Sequence, residues 1–96
     1  METVTLSQIA VRIIKEQALI IGPLAWEEAQ KVPGLRVTDR AAEQVAIDGA
    51  NAKDVINNLV AKYEQLFGRL SHEICKEVVQ DLIAELPKDE VPASLL

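Results

Sequence analysis

Apolar residues recur every three or four positions from the beginning of the chain, a spacing that predicts an amphipathic helix. Thr5 and Gln8 form a capping-box pair, in which each side chain satisfies a backbone amide at a helix start, so the helix is expected to open near residue 6. Gly22 and Pro23 interrupt it. Because proline lacks an amide proton and suits the first turn of a new helix, a second short helix is expected from Pro23 to about Val32. The apolar positions of the first helix are Leu6, Ile9, Ala10, Ile13, Ile20 and Ile21.

A second helical stretch has the clearest periodicity in the chain. Asn51 and Asp54 supply a cap and a first-turn acid, and Pro87 ends the stretch. An unbroken helix over residues 52–86 would be roughly 50 Å long. That length exceeds the width of a domain of this size, so a bend at Gly68 is expected unless a partner copy covers the extended rod. The apolar face reads Val55, Ile56, Leu59, Val60, Tyr63, Leu66 and Phe67 before the glycine, and Leu70, Ile74, Cys75, Val78, Val79, Leu82, Ile83 and Leu86 after it.

Residues 35–48 have an ambiguous pattern. Apolar and polar residues alternate around Val37 and again around Val45, as they do in half-buried strands, and this predicts a short β-hairpin. The alternative is a short helix, since residues 41–44 are better helix formers than strand formers. We favour the hairpin. Residues 88–96 are expected to form a frayed tail.

The two helical stretches carry the same pattern at a constant separation. Gly68 lies 46 residues after Gly22, and apolar residues match apolar residues on both sides of the two glycines. A glycine at the same place in both copies predicts a tight bend of the chain or a close helix contact. We call the two bends the elbows: the first lies at Gly22 and Pro23, and the second lies at Gly68. The fold class is therefore mainly α: two helix-glycine-helix units, over about residues 6–32 and 52–86, cover each other's apolar faces in a small bundle. We expect a single helical domain over residues 1–96.

Length and composition favour a chain that associates with another copy. Ninety-six residues bury only about 60 to 70% of their unfolded surface. Nevertheless 49% of the residues are hydrophobic, and the mean hydropathy is +0.10. Apolar surface is therefore expected to remain exposed, and two-fold self-pairing is the commonest way to cover it, so we expect a homodimer.

Charge and cysteine content restrict the partners and the cellular setting. The net charge is −5 and the basic residues are scattered from Arg12 to Lys88, which opposes binding to a phosphate backbone. A helix-turn-helix or histone-like nucleic-acid-binding dimer is therefore only the alternative function. The single cysteine forms no internal disulfide, so a cytoplasmic setting is expected. Neither a membrane span nor a signal peptide is expected from the apolar stretches.

No residue pattern predicts a catalytic, cofactor or metal site. His72, Glu73 and Cys75 are metal-ligand types, but side chains one and three positions apart on a helix do not all converge, and a closed zinc site needs four ligands. Cys75 lacks an orienting third group and an oxyanion loop, so we expect a half-buried small hydrophobe. An enzyme or a ligand carrier with a pocket between the units is the weakest alternative, because convergent polar residues are missing.

The residues around the elbows are the candidates for a partner or dimer surface. Trp26 lies shortly after the first elbow, and tryptophan is a typical anchor residue of protein interfaces. Packing in the core is nevertheless the commoner role of a tryptophan side chain. The other candidates are Ile21, Leu24, Phe67, Leu70 and His72. The expected function is a small, non-catalytic protein–protein interaction module that docks helices of itself or of a signalling partner.

The segment from Ile20 to Ala25 contains Ile-Gly-Pro-Leu-Ala after an amphipathic helix. This segment resembles the short helical segment at the carboxyl end of some bacterial serine/threonine kinases and in small cyanobacterial signalling proteins. Leu66 to Ser71 resembles it more loosely, because Arg69 replaces the proline. The resemblance implies an accessory, partner-binding helical module in bacterial signalling, without catalytic residues.

Overall fold

The computed structural model describes residues 5–39, 41, 44–47 and 52–96. The helices are α1 (Leu6–Ile21), α2 (Leu24–Ala29), α3 (Ala52–Phe67), α4 (Arg69–Val78) and α5 (Gln80–Ile83). Two strands, β1 (Leu35–Asp39) and β2 (Gln44–Ile47), lie between α2 and α3, and two short 3-10 helices follow α5 at Lys88–Glu90 and Ala93–Leu95. The chain is therefore mainly helical with one small hairpin, as predicted. The expected helix cap at Asn51 lies outside the described residues.

Helix α1 begins with the predicted capping box. The Gln8 amide donates to Thr5 Oγ1 over 3.2 Å, and the Thr5 amide donates to Gln8 Oε1 over 2.9 Å. Two of the amides that a helix start leaves without an intrahelical acceptor are thereby satisfied. The boundary between an extended Thr5 and a helical Leu6 is thus set by local sequence.

Both long helices end at a glycine with positive φ. Gly22 has a φ of 72° and Gly68 a φ of 94°, a region that residues with a Cβ adopt only with strain. The Gly22 amide donates to Ala18 O over 2.9 Å, and the Gly68 amide donates to Glu64 O over 2.8 Å. Helices α1 and α3 are each 16 residues long, and their bounds are separated by the same 46 residues as the glycines. The predicted bend at Gly68 and the two helix-glycine-helix units are confirmed.

The short helices differ from the predicted bounds. Helix α2 ends at Ala29 instead of near Val32, and the chain continues in turns to the strand at Leu35. The predicted last helix is interrupted at Val79, whose φ of −116° and ψ of 7° leave the helical range, and α5 ends at Ile83. Neither glycine nor proline stands at the end of α2 or at the interruption at Val79, so the local sequence gave no indication of these two helix ends.

The core is built from the same positions of the two units. Five buried positions of α1 recur on α3 after 46 residues, and two of the four buried positions of α2 recur on α4. Each unit therefore covers the apolar face of the other, as expected for a duplicated unit that cannot bury its own face. The matched core residues are Ile9, Ala10, Ile13, Ile14, Gln17, Ala25 and Ala29 in the first unit, and Val55, Ile56, Leu59, Val60, Tyr63, Ser71 and Cys75 in the second.

Two reciprocal hydrogen bonds join the units inside this core. Gln17 Nε2 donates to the Ser71 carbonyl over 3.1 Å, and the Tyr63 hydroxyl donates to the Ala25 carbonyl over 2.7 Å. Gln17 and Tyr63 are equivalent positions of the two long helices, and Ala25 and Ser71 are equivalent positions of the two short ones. The pair of bonds therefore gives the core an approximate internal two-fold symmetry.

The segment between the units forms the predicted antiparallel hairpin. Leu35 pairs with Ile47 and Val37 with Val45, and the register shifts between Val37 and Asp39. Leu35 is buried in the core, whereas the other strand residues are half-buried or exposed. The alternation of apolar and polar residues correctly indicated strands here.

The prediction of a frayed tail at residues 88–96 is wrong. Val91 and Leu95 are buried, and the second 3-10 helix packs against α3 and α4. The Ser94 amide and hydroxyl both donate to Asn57 Oδ1, over 3.0 Å and 2.6 Å. The tail is held because its two apolar side chains find a site between helices that are distant from it in sequence.

We expect alanine at either elbow to destabilise the chain. No atom lies within 4 Å of a Cβ built on Gly22 or Gly68, so the cost of Gly22→Ala or Gly68→Ala comes from backbone strain. It should lower the free energy of unfolding by about 1 to 3 kcal/mol in urea denaturation. Gln65→Ala, an exposed change one turn before Gly68, is the control and should stay within about 0.5 kcal/mol of the native chain. Equal unfolding midpoints for all four proteins would contradict the elbow geometry.

The two reciprocal bonds are expected to differ in their contribution to stability. Tyr63→Phe removes a 2.7 Å bond from the buried core and should cost about 1 kcal/mol. Gln17→Met removes a bond to Ser71 but also a buried Oε1 that has no partner among the described residues, so the two effects should nearly cancel. Urea denaturation of both variants measures the difference. A larger loss for Gln17→Met than for Tyr63→Phe would refute this explanation.

Candidate functional site

The two elbows lie at the same end of the molecule. Gln17, near the end of α1, contacts Ser71 at the beginning of α4, and Tyr63, near the end of α3, contacts Ala25 at the beginning of α2. Each long helix therefore finishes beside the short helix of the other unit. The residues that flank Gly22 and Gly68 are brought together by this crossing.

Exposed apolar side chains concentrate at this end. Six large apolar residues are exposed in the part of the chain that the structure describes, and five of them flank the elbows. Two pairs occupy equivalent positions of the units: Ile20 with Leu66, at 60% and 49% exposure, and Leu24 with Leu70, at 39% and 71%. We call the five residues the elbow surface: Leu19, Ile20, Leu24, Leu66 and Leu70.

Only two of the six predicted surface residues belong to the elbow surface. Leu24 and Leu70 are exposed, whereas Ile21 and Phe67 are partly buried and pack against the core. Trp26 is 7% exposed, so it is a core residue and leaves the set of candidates. Its burial follows from its place on α2, since it lies on the helix face that carries the buried Ala25 and Ala29.

The sixth candidate, His72, is occupied by contacts within the chain. Its Nδ1 lies 3.2 Å from Glu64 Oε2, and its Nε2 lies 2.7 Å from the Ser94 carbonyl oxygen. Both neighbours are hydrogen-bond acceptors, so the ring connects α3 to the C-terminal tail. Its contacts give His72 a role in holding the tail, which the sequence did not indicate.

Three members of the elbow surface were missing from the candidates: Leu19, Ile20 and Leu66. The separation of 46 residues pairs Ile20 with Leu66, and this match of two apolar residues was the available signal. A matched apolar pair is the pattern of a core position as well as of a shared surface, so the match alone could not show that both side chains are exposed.

Three exposed charged residues flank the leucines of the elbow surface in the sequence. Glu27 lies one turn after Leu24 on α2, and Arg69 directly precedes Leu70 on α4. Neither side chain makes a hydrogen bond or an ion pair with any other described residue. Glu73, the equivalent of Glu27 in the second unit, lies 3.9 Å from Lys76 Nζ.

A wide cleft of about 670 Å³ lies elsewhere, between α1, the hairpin and α5. Its lining mixes both signs of charge with apolar residues, and its Arg12 is already engaged, donating to the Val78 carbonyl over 3.1 Å and to Asp81 over 3.4 Å. Among the described residues that line it, no nucleophile has a neighbouring base. The cleft therefore offers little specific chemistry. Besides Arg12, the residues that line the cleft include Ser7, Lys15, Gln44, Leu82 and Glu85.

The buried thiol is not an activated nucleophile. Cys75 is fully buried, and burial raises its pKa to about 11, so the thiol stays protonated at neutral pH. Gln17 Nε2 lies 3.4 Å from its sulfur, and burial also raises the pKa of the neighbouring Tyr63 hydroxyl. Within residues 5–39, 41, 44–47 and 52–96 no three His, Cys, Asp or Glu side chains are grouped so as to hold a metal ion.

Comparison with models of protein families, with curated proteins and with solved structures gives no match to this chain. Among the described residues, no helix combines the length and the apolar character that crossing a membrane requires.

Cys75 is expected to react slowly with thiol reagents in the native state. The rise of its pKa from 9.0 to about 11 lowers the thiolate fraction at neutral pH about a hundredfold, and burial restricts access further. Reaction with a disulfide reagent, followed by absorbance, should therefore be at least about a hundredfold slower in buffer than in concentrated urea. Ala61→Cys in a Cys75→Ala background supplies an exposed thiol as the control. Equal rates for the native chain and this control would contradict the burial of Cys75.

Proposed function

We propose that this chain is a small, non-catalytic protein–protein interaction module whose contact site is the elbow surface. The observation that carries the proposal is the placement of five exposed apolar side chains at one end of a chain whose other large apolar residues are, with one exception among those described, at least partly buried. Apolar side chains that a chain keeps together on its surface commonly mark an interaction site.

The physical basis of binding would be apolar burial with little change of backbone. Fully burying a leucine contributes about 1.5 to 3 kcal/mol relative to leaving it exposed, and these side chains are between 39% and 80% exposed before binding. The elbows are held by helix ends and by the reciprocal bonds between the units, so the surface is already in place before a partner arrives. A preformed surface avoids part of the ordering cost of association.

The cellular setting belongs to the same proposal. The resemblance of residues 20–25 to a helical segment of bacterial kinases and small cyanobacterial signalling proteins supports a role in bacterial signalling, in the cytoplasm. The alternative of a nucleic-acid-binding dimer has less support, because the net charge is −5 and the elbow surface is apolar.

Charged residues on the elbow surface should prevent partner binding without unfolding the chain. In the double variant Leu24→Lys and Leu70→Lys, both side chains start from exposed positions, so each change should alter stability by no more than about 0.5 kcal/mol. Tagged chains are used to capture proteins from a bacterial lysate, and the captured proteins are identified by mass spectrometry. We expect the double variant to lose proteins that the native chain retains.

Leu96→Lys provides the matched control, because Leu96 is the one exposed large apolar residue, among those described, that does not belong to the elbow surface. It should capture the same proteins as the native chain, and circular dichroism should show the same helix content for all three. Identical capture by the double variant, or a native chain that neither captures a protein nor associates with itself, would contradict the proposal.

A further inference from the structure

We propose that the surface which holds the C-terminal tail is a peptide-binding site, and that residues 91–95 occupy it as an internal ligand that a similar segment of another chain can replace. We call this surface the tail site: Lys53 and Asn57 on α3, and His72 on α4. Its ligand is a short segment with the pattern Val-Pro-x-Ser-Leu, as in residues 91–95. The inference concerns a second interaction site and does not depend on the elbow surface.

The tail is attached to the rest of the chain in the way that a bound peptide is. Within the part of the chain that the structure describes, every backbone-to-backbone hydrogen bond of residues 88–96 joins two residues between Pro87 and Leu96. Side chains of α3 and α4 therefore hold the tail, together with the burial of its own apolar residues. None of these contacts requires that the segment belong to the same chain.

The polar contacts of the tail site are made mostly with main-chain atoms. Asn57 Oδ1 accepts from the Ser94 amide over 3.0 Å, and His72 Nε2 donates to the Ser94 carbonyl over 2.7 Å. Lys53 Nζ donates to the Asp89 carbonyl over 2.6 Å. A further bond, from Ser94 Oγ to Asn57 Oδ1 over 2.6 Å, reads a side chain. Because main-chain groups are common to all sequences, the site can hold another segment whose side chains fit.

Apolar side chains of the tail define which segments fit. Val91 and Leu95 are 7% and 5% exposed and Pro92 is fully buried, whereas Ala93 between them is exposed. Pro92 has a φ of −58° and a ψ of 137°, the polyproline II conformation, and its ring fixes this φ before binding. A segment that is already extended loses less conformational freedom when it binds. The site therefore selects aliphatic, proline-containing segments, and the Ser94 hydroxyl bond adds a preference for serine.

The chain's own tail limits access to this site. A segment joined by a short linker has an effective concentration in the millimolar range, so a free segment of equal affinity binds weakly while the tail is in place. A partner gains the site when its segment fits better than residues 91–95, or when its local concentration is high. The tail is thus an autoinhibitory contact as well as a part of the fold.

A fluorescent peptide of residues 88–96 tests the proposal on the full chain. Leu95→Asp should release the tail, because a carboxylate without a partner is costly at a buried position. Fluorescence anisotropy should show saturable peptide binding to this variant, at least about tenfold tighter than to the native chain, whose tail competes. A peptide that carries Leu95→Asp itself should bind neither protein. Circular dichroism should show native helix content for the variant.

Matched variants in the Leu95→Asp background locate the binding. Asn57→Leu removes the acceptor of both Ser94 bonds and should weaken peptide binding about tenfold or more. Asn58→Leu makes the same change at the neighbouring, exposed asparagine and should leave the affinity unchanged. Leu24→Lys with Leu70→Lys should also leave it unchanged, since these residues belong to the elbow surface. Failure of either interaction site is therefore distinguishable from failure of the other.

A measurement on the native chain covers the case in which Leu95→Asp does not fold. Unlabelled peptide at millimolar concentration should displace the tail, so the nuclear magnetic resonance signals of the Ser94 and Leu95 amides should move toward those of an unstructured segment. The same experiment on the Asn58→Leu chain should give the same result. If the Leu95→Asp chain is unfolded, this displacement experiment decides alone.

The outcomes separate the site from the source of its ligand. Absence of both saturable binding to the Leu95→Asp chain and displacement in the native chain overturns the proposal, as does binding that Asn57→Leu leaves unchanged. Binding that depends on Asn57, or displacement of the native tail, supports it. Sedimentation equilibrium of the native chain then assigns the source of the segment. A dimer that Leu95→Asp dissociates assigns it to a second copy, and a monomer assigns it to another protein.

Discussion

The positive-φ backbone at Gly22 and Gly68 is the constraint on which the rest of the structure depends. It ends the two long helices after equal lengths and turns the chain so that each short helix crosses to the other unit. Only with both turns in place can Gln17 reach the Ser71 carbonyl and Tyr63 reach the Ala25 carbonyl. The same turns place the flanking leucines at one end of the molecule, so the fold and the candidate site have a common cause.

The parts of the fold that the sequence predicted are those set by local signals. Thr5 and Gln8 fix a helix start through their own side chains, glycine marks the elbows, and alternation indicated the hairpin. The order of the C-terminal tail depends instead on tertiary contacts. Leu95 is buried only because α3 and α4 leave a site for it, and Asn57, 37 residues before Ser94, completes the attachment.

The candidate site was predicted by region but only partly by residue. The elbow was the correct place, and Leu24 and Leu70 lie on its surface. Trp26 was a natural candidate because tryptophan is common at interfaces, yet its side chain fills the core. Periodicity identifies which residues share a helix face. It does not show whether a second element covers that face, so the exposure of Ile20 and the burial of Trp26 both required the folded chain.

Sequence differences between the two units have the largest effect at exposed positions and beside buried polar groups. In the core, one apolar residue replaces another at four of the five paired positions of α1 and α3 without changing the crossing. At the elbows, a single difference adds a charge, since the position of the uncharged Pro23 in the first unit is occupied by Arg69 in the second. Divergence of the two units has therefore kept the crossing of the helices and changed the chemistry of the elbows.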